Sequence, residues 1–111
     1  MNIETTELKR CILMAVNGRI DSGTAPQLQA ALDETIDERN FKLVMNMKEV
    51  DFISSAGLWV LVNAQKKCKR FNRGEVVLAN VSKRVTSALD LAGFIPYFKI
   101  FDDETLAVGN F

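Results

Sequence analysis

Ser54 and Ser55 place two hydroxyls side by side, ahead of Ala56 and Gly57, where the hydrophobic rhythm of the chain changes from a period of two to a helical period. A serine at such a junction is a natural N-cap, because its oxygen accepts one of the orphan N–H groups of the helix that follows. The same helix start carries the positive end of the macrodipole, so it also suits an anion. A phosphate esterified to Ser55 would sit where the backbone is already built to receive negative charge. Ser55 lies one turn before Trp59, in line with Asn63 and Lys66, so its hydroxyl opens a polar stripe and is not aimed into the core. The chemistry on offer is acceptance of a charged group, not turnover. The chain has no histidine, which removes His-based triads, His metal sites and the commonest general base. There is no Walker-type glycine loop, no GxGxxG after a strand and no pair of catalytic carboxylates, so no catalytic residue, metal ligand or cofactor is assigned.

The elements that must hold these serines can be read from pattern. FKLVMNM, from Phe41 to Met47, alternates with Phe41, Leu43, Met45 and Met47 on one side, and predicts a strand with one face on a core. LWVLVNAQKKCKRF then turns helical: Leu58, Leu61, Ala64, Gln65 and Cys68 share one arc, with Trp59, Asn63, Lys66, Lys67 and Arg70 on the other. Upstream, residues 2–8 suit a short edge strand, and CILMAV, from Cys11 to Val16, a central strand buried on both faces. Thr24 is placed to cap a first helix, with Pro26 in its first turn and Leu28, Ala31, Leu32, Thr35 and Ile36 as its apolar stripe. Downstream, Asn72-Arg73-Gly74 ends the second helix and EVVLA, from Glu75 to Ala79, is another strand. Ser82 caps a third helix that Gly93 closes, Tyr97 to Phe101 reads as a last strand, and Asp102 or Asp103 begins a short final helix limited by Gly109. The order β-β-α-β-α-β-α-β implies an α/β fold with a mixed, mostly parallel sheet of four to five strands and helices packed on it.

These residues carry a resemblance to a known family. VDFISSAGLWVL resembles the signature of the STAS domain, the module of sulfate transporters and anti-sigma factor antagonists: hydrophobic-x-Ser-Ser/Thr-Gly-Leu, often with an aspartate before the first serine. Gly18-x-Ile20-Asp21 resembles the family's second signature, and LDLAGFIPYFKIF fits its C-terminal region, so the resemblance spans nearly the whole chain as one domain, 1–111. It implies a phosphorylation-switched binding module. The unmodified form binds an anti-sigma factor that is also a serine kinase, a sigma factor is released, and a serine phosphatase reverses the modification. It also admits a constitutive subunit, as in stressosome-like scaffolds or the soluble partner of a lipid-transport ATPase.

By that resemblance Ser55 is the phosphoacceptor, with Asp21, Asp51, Ala56 and Gly57 around it. Two departures stand out: Ser54 occupies the position often held by aspartate, which leaves it as a rival acceptor, and Ala56 replaces the second Ser/Thr. Read from the residues alone, both serines also fit a simple capping role, Asp21 fits a turn carboxylate that bonds its own backbone, and Asp51 a solvated loop residue. Trp59, with Asn63, Lys66 and Arg70, is either a partner-binding anchor or a ring folded over a neighbouring loop. The basic run Lys66, Lys67, Lys69, Arg70 and Arg73 fits a solvated helix end, or complements an acidic partner.

Composition sets the outer bounds. With 111 residues, 48% apolar and 25% charged, the chain is the size and balance of one ordinary globular domain. Net charge is zero and the basic run is short and lacks interleaved aromatics, so no direct nucleic-acid binding is expected. No stretch approaches the roughly 18 apolar residues of a membrane span, and MNIETTELKR lacks the pattern of a signal peptide, so the protein is expected in the cytoplasm, as a monomer or weak dimer. Cys11 and Cys68 read as buried apolar residues, not as a disulfide.

Overall fold

The computed structural model describes residues 1–111 as one α/β domain. Strands β1 (Asn2–Glu7), β2 (Ile12–Asn17), β3 (Lys42–Glu49), β4 (Glu75–Ala79) and β5 (Lys99–Phe101) lie in the spatial order β1-β2-β3-β4-β5. β1 pairs antiparallel with β2 through the tight turn 8–11, and the other three pairs are parallel. Helices α1 (Ala25–Asp37), α2 (Ser55–Lys69) and α3 (Lys83–Leu91) make the three crossovers. Because the parallel strands advance in one direction across the sheet, right-handed crossovers put all three helices on one face.

That face holds the main core. Met14, Val16, Leu43, Met45, Met47, Val76 and Leu78 of the strands meet Leu28 and Leu32 of α1, Leu61 and Cys68 of α2, and Val85 and Leu89 of α3. The predicted arcs of α1 and α2 are the buried ones, although Ala31 is only half-buried and Val60 and Val62 widen the apolar face of α2. The other face of the sheet is covered in part by a short helix α4 (Glu104–Val108), whose Ala107 packs with Cys11, Val44, Val77 and Ala79. β3 is therefore buried on both faces, not one: Val44 is as inaccessible as Leu43 and Met45. β2 departs the other way, since Leu13 and Ala15 on its second face are only half-buried.

Three further expectations need correction. Thr24 takes the N-cap position of α1 but makes no capping bond; its hydroxyl is already engaged with the preceding loop. The last strand is shorter than Tyr97 to Phe101: Tyr97 closes a helical turn over Ile95–Tyr97, whose start Pro96 fits, and β5 begins only at Lys99. Cys11 precedes β2 instead of lying in it. Both cysteines are free and buried, and burial pushes the Cys68 thiol up to about 11, which makes it an inert packing group. The end of α3 is as expected: Gly93, at φ +76, donates to Asp90 O and Phe94 donates to Leu89 O, the paired bonds that close a helix through a left-handed residue.

The one buried polar side chain on α2, Gln65, ties three elements together. Its Oε1 accepts from Val76 N at 2.6 Å, and its Nε2 donates to Val76 O at 2.9 Å and to Tyr97 O at 2.7 Å. The amide pairs Val76 as a neighbouring peptide would and anchors the 95–97 turn to α2. No buried side-chain nitrogen or oxygen is left without a partner. Gln65→Leu keeps the volume but strands one backbone N–H and two carbonyls, so urea unfolding is expected to show a loss of about 2–4 kcal/mol.

Candidate functional site

The site is built where β2 and β3 end. Gly18, at φ +121, lets the chain turn sharply out of β2, and its N–H donates to Glu49 O at 3.0 Å. Two residues on, Ile20 forms an isolated parallel bridge with Ile53: Ile20 N donates to Phe52 O at 3.0 Å and Ser54 N donates to Ile20 O at 2.8 Å. The loops before α1 and before α2 are thus zipped together just outside the sheet. Gly57 completes the junction, because a Cβ there would lie 2.5 Å from Ile20 Cγ2 and 2.8 Å from Ile53 Cγ1. Only a glycine lets the first turn of α2 settle onto the bridge.

Within the first loop, Asp21 organises its own turn. Its Oδ1 accepts from Gly23 N at 2.9 Å and Thr24 N at 3.1 Å, while Asp21 N donates to Thr24 Oγ1 at 2.9 Å and that hydroxyl donates to Arg19 O at 2.7 Å. Arg19 adds a charge, its Nε 3.4 Å from Asp21 Oδ2 and its guanidinium 3.8 Å from the centroid of the Phe52 ring. The bond from the Thr24 backbone, with help from Gly23, the Thr24 hydroxyl and Arg19, holds the Asp21 carboxyl below the usual carboxylate range against some desolvation. Asp21 is thus a turn carboxylate whose loop touches the serine loop. Asp51 is exposed and makes no ion pair.

The two serines have different surroundings. Ser54 is the N-cap of α2, half-buried, with its Oγ accepting from Gly57 N at 3.3 Å. Ser55 is the first helical residue and is exposed, and no acidic side chain occupies the first turn to satisfy the dipole. Ala56 is half-buried against the core and Gly57 is buried. From Ser55 the exposed face continues through Trp59, Asn63 and Lys66. Arg70 lies just beyond the C-terminus of α2, roughly 22 Å from Ser55 at about 1.5 Å per residue, and so belongs to the other end of the molecule.

Trp59 is 51% exposed and has a partner the sequence did not reveal. Phe94, carried in by the end of α3, meets it edge to face with ring centroids 5.2 Å apart, and Tyr97 meets Phe94 in the same way at 5.9 Å. Lys66 Nζ stands 5.9 Å from the Trp59 ring centroid. The ring is half open and half supported by the loop that follows α3. Arg19, Phe52 and Ile53 are the other site residues to which pattern reading gave no role. Only the spacing of Ile20 between Gly18 and Asp21 gave a signal. No group of three or more His, Cys, Asp or Glu side chains is placed to hold a metal ion. No helix is long and apolar enough to cross a membrane.

A model of the STAS domain matches residues 2–107. A candidate anti-sigma factor antagonist of Bordetella bronchiseptica, BtrV, is 26% identical over 111 residues, which cover 100% of this chain and 95% of that protein. The anti-sigma F factor antagonist of Paenibacillus polymyxa is 26% identical over 109 residues, 97% of this chain and 92% of that one. The crystal structure of a candidate anti-sigma factor antagonist from Thermotoga maritima matches in fold with a TM-score of 0.90 at 20% identity, over 97% of this chain and 92% of that one.

Two predictions separate capping from exposure and from charge. Ser54→Ala is expected to cost about 1 kcal/mol of stability in denaturant melts, whereas Ser55→Ala stays within about 0.5 kcal/mol. The folded pKa of Asp21 is lowered, so its contribution to stability is complete above the ordinary aspartate range and is lost as pH falls through the folded value. A carboxyl NMR titration should place Asp21 below an unfolded aspartate, and Asp21→Asn should flatten the acid limb of the stability curve.

Proposed function

The chain belongs to the STAS domain family, and from that premise we propose that it is an anti-sigma factor antagonist switched by phosphorylation of Ser55. Relatives that carry the antagonist's name, one of them as a candidate, align with it over nearly their whole lengths. In this reading the unmodified form binds an anti-sigma factor that is also a serine kinase, so that the sigma factor is released. The kinase transfers the terminal phosphoryl group of ATP to Ser55 Oγ, and a phosphatase removes it.

The observation that carries the proposal is the contrast between the serines. Ser55 is exposed on the first turn of a helix that has no acidic residue there, while Ser54 Oγ is committed to Gly57 N. A phosphoserine brings about −1.5 to −2 of charge, and the helix N-terminus holds it without refolding. The partner surface over Ser55 and Trp59 then meets an oversized, charged group, and affinity falls while the fold stays. The bridge between Ile20 and Ile53 favours this division, because it fixes both loops in place before any partner arrives. Trp59 supplies a large, half-supported ring of the kind that anchors protein interfaces.

The test is incubation with the anti-sigma factor kinase and ATP, followed by phosphosite mapping and a binding titration. One phosphate on Ser55 is expected. Ser55→Asp is expected to weaken binding at least tenfold with an unchanged circular dichroism spectrum, and Trp59→Ala to weaken binding with little change in melting temperature. A chain that binds the kinase but stays unmodified is instead a constitutive subunit, and phosphate on Ser54 reassigns the switch.

A further inference from the structure

Although the chain has 14 cations and 14 carboxylates, they are not mixed evenly over the surface. Nine of the 14 cations, against three of the 14 carboxylates, line one cleft and two hollows that share Arg73 with it. All lie where the parallel strands begin. β3 has eight residues at about 3.3 Å each, so this end stands roughly 25 Å from the serines.

The cleft has a volume of about 230 Å³ and is assembled from three separate turns. The turn between β1 and β2 supplies Lys9 and Arg10, the segment between α1 and β3 supplies Arg39 and leads into Lys42 at the start of β3, and the turn after α2 supplies Arg73; Glu7 is the one carboxylate. None of the five cations is in an ion pair, since the pairs of the chain are Arg19–Asp21, Lys67–Asp33 and Lys99–Glu75. Arg73 is held in place, its Nε donating to Arg70 O at 3.2 Å and its guanidinium 4.1 Å from the centroid of the Phe41 ring. Arg39 is presented from a left-handed backbone at φ 66, a conformation that costs a non-glycine residue energy. The dipole of α2 accounts for cations on its last turn, but not for Lys9, Arg10 or Lys42. The five side chains are exposed, and like charges set around one concavity repel one another, a repulsion that an anion between them relieves.

From this convergence we infer that the cleft is a binding site for a compact diphosphate, free or as the diphosphate of a nucleotide. The volume is below the roughly 300–1,000 Å³ of pockets that enclose a whole drug-sized ligand, and it suits an anionic head of high charge density. Two or more arginines match phosphate oxygens with paired N–H donors, and lysines add point charge. The site does not depend on the antagonist reading, because no residue of it touches the serine end.

Calorimetry of the full chain with sodium pyrophosphate and with ADP, at constant ionic strength, tests the assignment. Saturable one-site binding is expected, together with a rise in melting temperature. Equal affinity for the two ligands identifies the bare diphosphate, and tighter ADP binding identifies the nucleotide. Arg39→Asn suits the left-handed backbone and leaves the fold intact; it and Arg10→Glu should each weaken binding about tenfold, while Lys83→Glu at the serine end changes it less than twofold. No saturable heat, or an equal loss in Lys83→Glu, would mean a diffuse positive surface and overturn the site.

Discussion

The backbone contact between Ile20 and Ile53 is what the serine end of this protein depends on. Parallel strands normally leave their trailing loops free of one another, yet here two hydrogen bonds extend the pairing of β2 and β3 past the sheet, into the loops that start α1 and α2. Gly57 is the condition for it. With an alanine there, the gain in helix propensity of about 1 kcal/mol would be outweighed by a Cβ 2.5 Å from Ile20, in a junction with no slack. The bridge therefore fixes Asp21, Arg19, Ser54 and Ser55 relative to the sheet before any partner is present.

A domain built this way separates its rigid parts from its reactive ones. Asp21 spends its carboxylate on its own turn, Ser54 on the helix cap, and Gln65 on Val76 and Tyr97. Ser55, with the exposed face beyond it, remains uncommitted at that end, as does Asp51. Phe94 stands beside Trp59, with Tyr97 against Phe94, and Gln65 holds the 95–97 turn against α2. Ser55 therefore opens onto a surface that is already formed, which is the premise of the proposed switch.

Strand polarity divides the charge as well. The ends of the parallel strands carry the hydroxyls and the zipped loops, and their beginnings carry most of the cations. α2 runs from one end to the other, which is why Trp59, near its start, and Arg70, just past its end, belong to different surfaces. Zero net charge hides this, because it is a sum and not a distribution.

The sequence by itself determined the order of elements, the buried arcs of α1 and α2, the closing glycine of α3 and the placing of Ser54 and Ser55 at a helix start. Each of these is a local property: periodicity, capping chemistry and the freedom of glycine act within one or two turns of chain. The STAS family too was legible in short runs, namely Gly18 to Asp21 and Ser54 to Leu58. What pattern reading missed was decided between elements far apart in the chain. Val44 is buried because α4, some sixty residues later, covers the second face of β3. Thr24 is the local exception, since the groups that take its hydroxyl, Asp21 N and Arg19 O, lie within five residues of it. The partner of Trp59 arrives from residue 94, and five cations from three turns meet in one cleft. Only the tertiary structure decided these, since a contact of high sequence separation leaves no period in the chain and exists only once the sheet has aligned the turns that supply it.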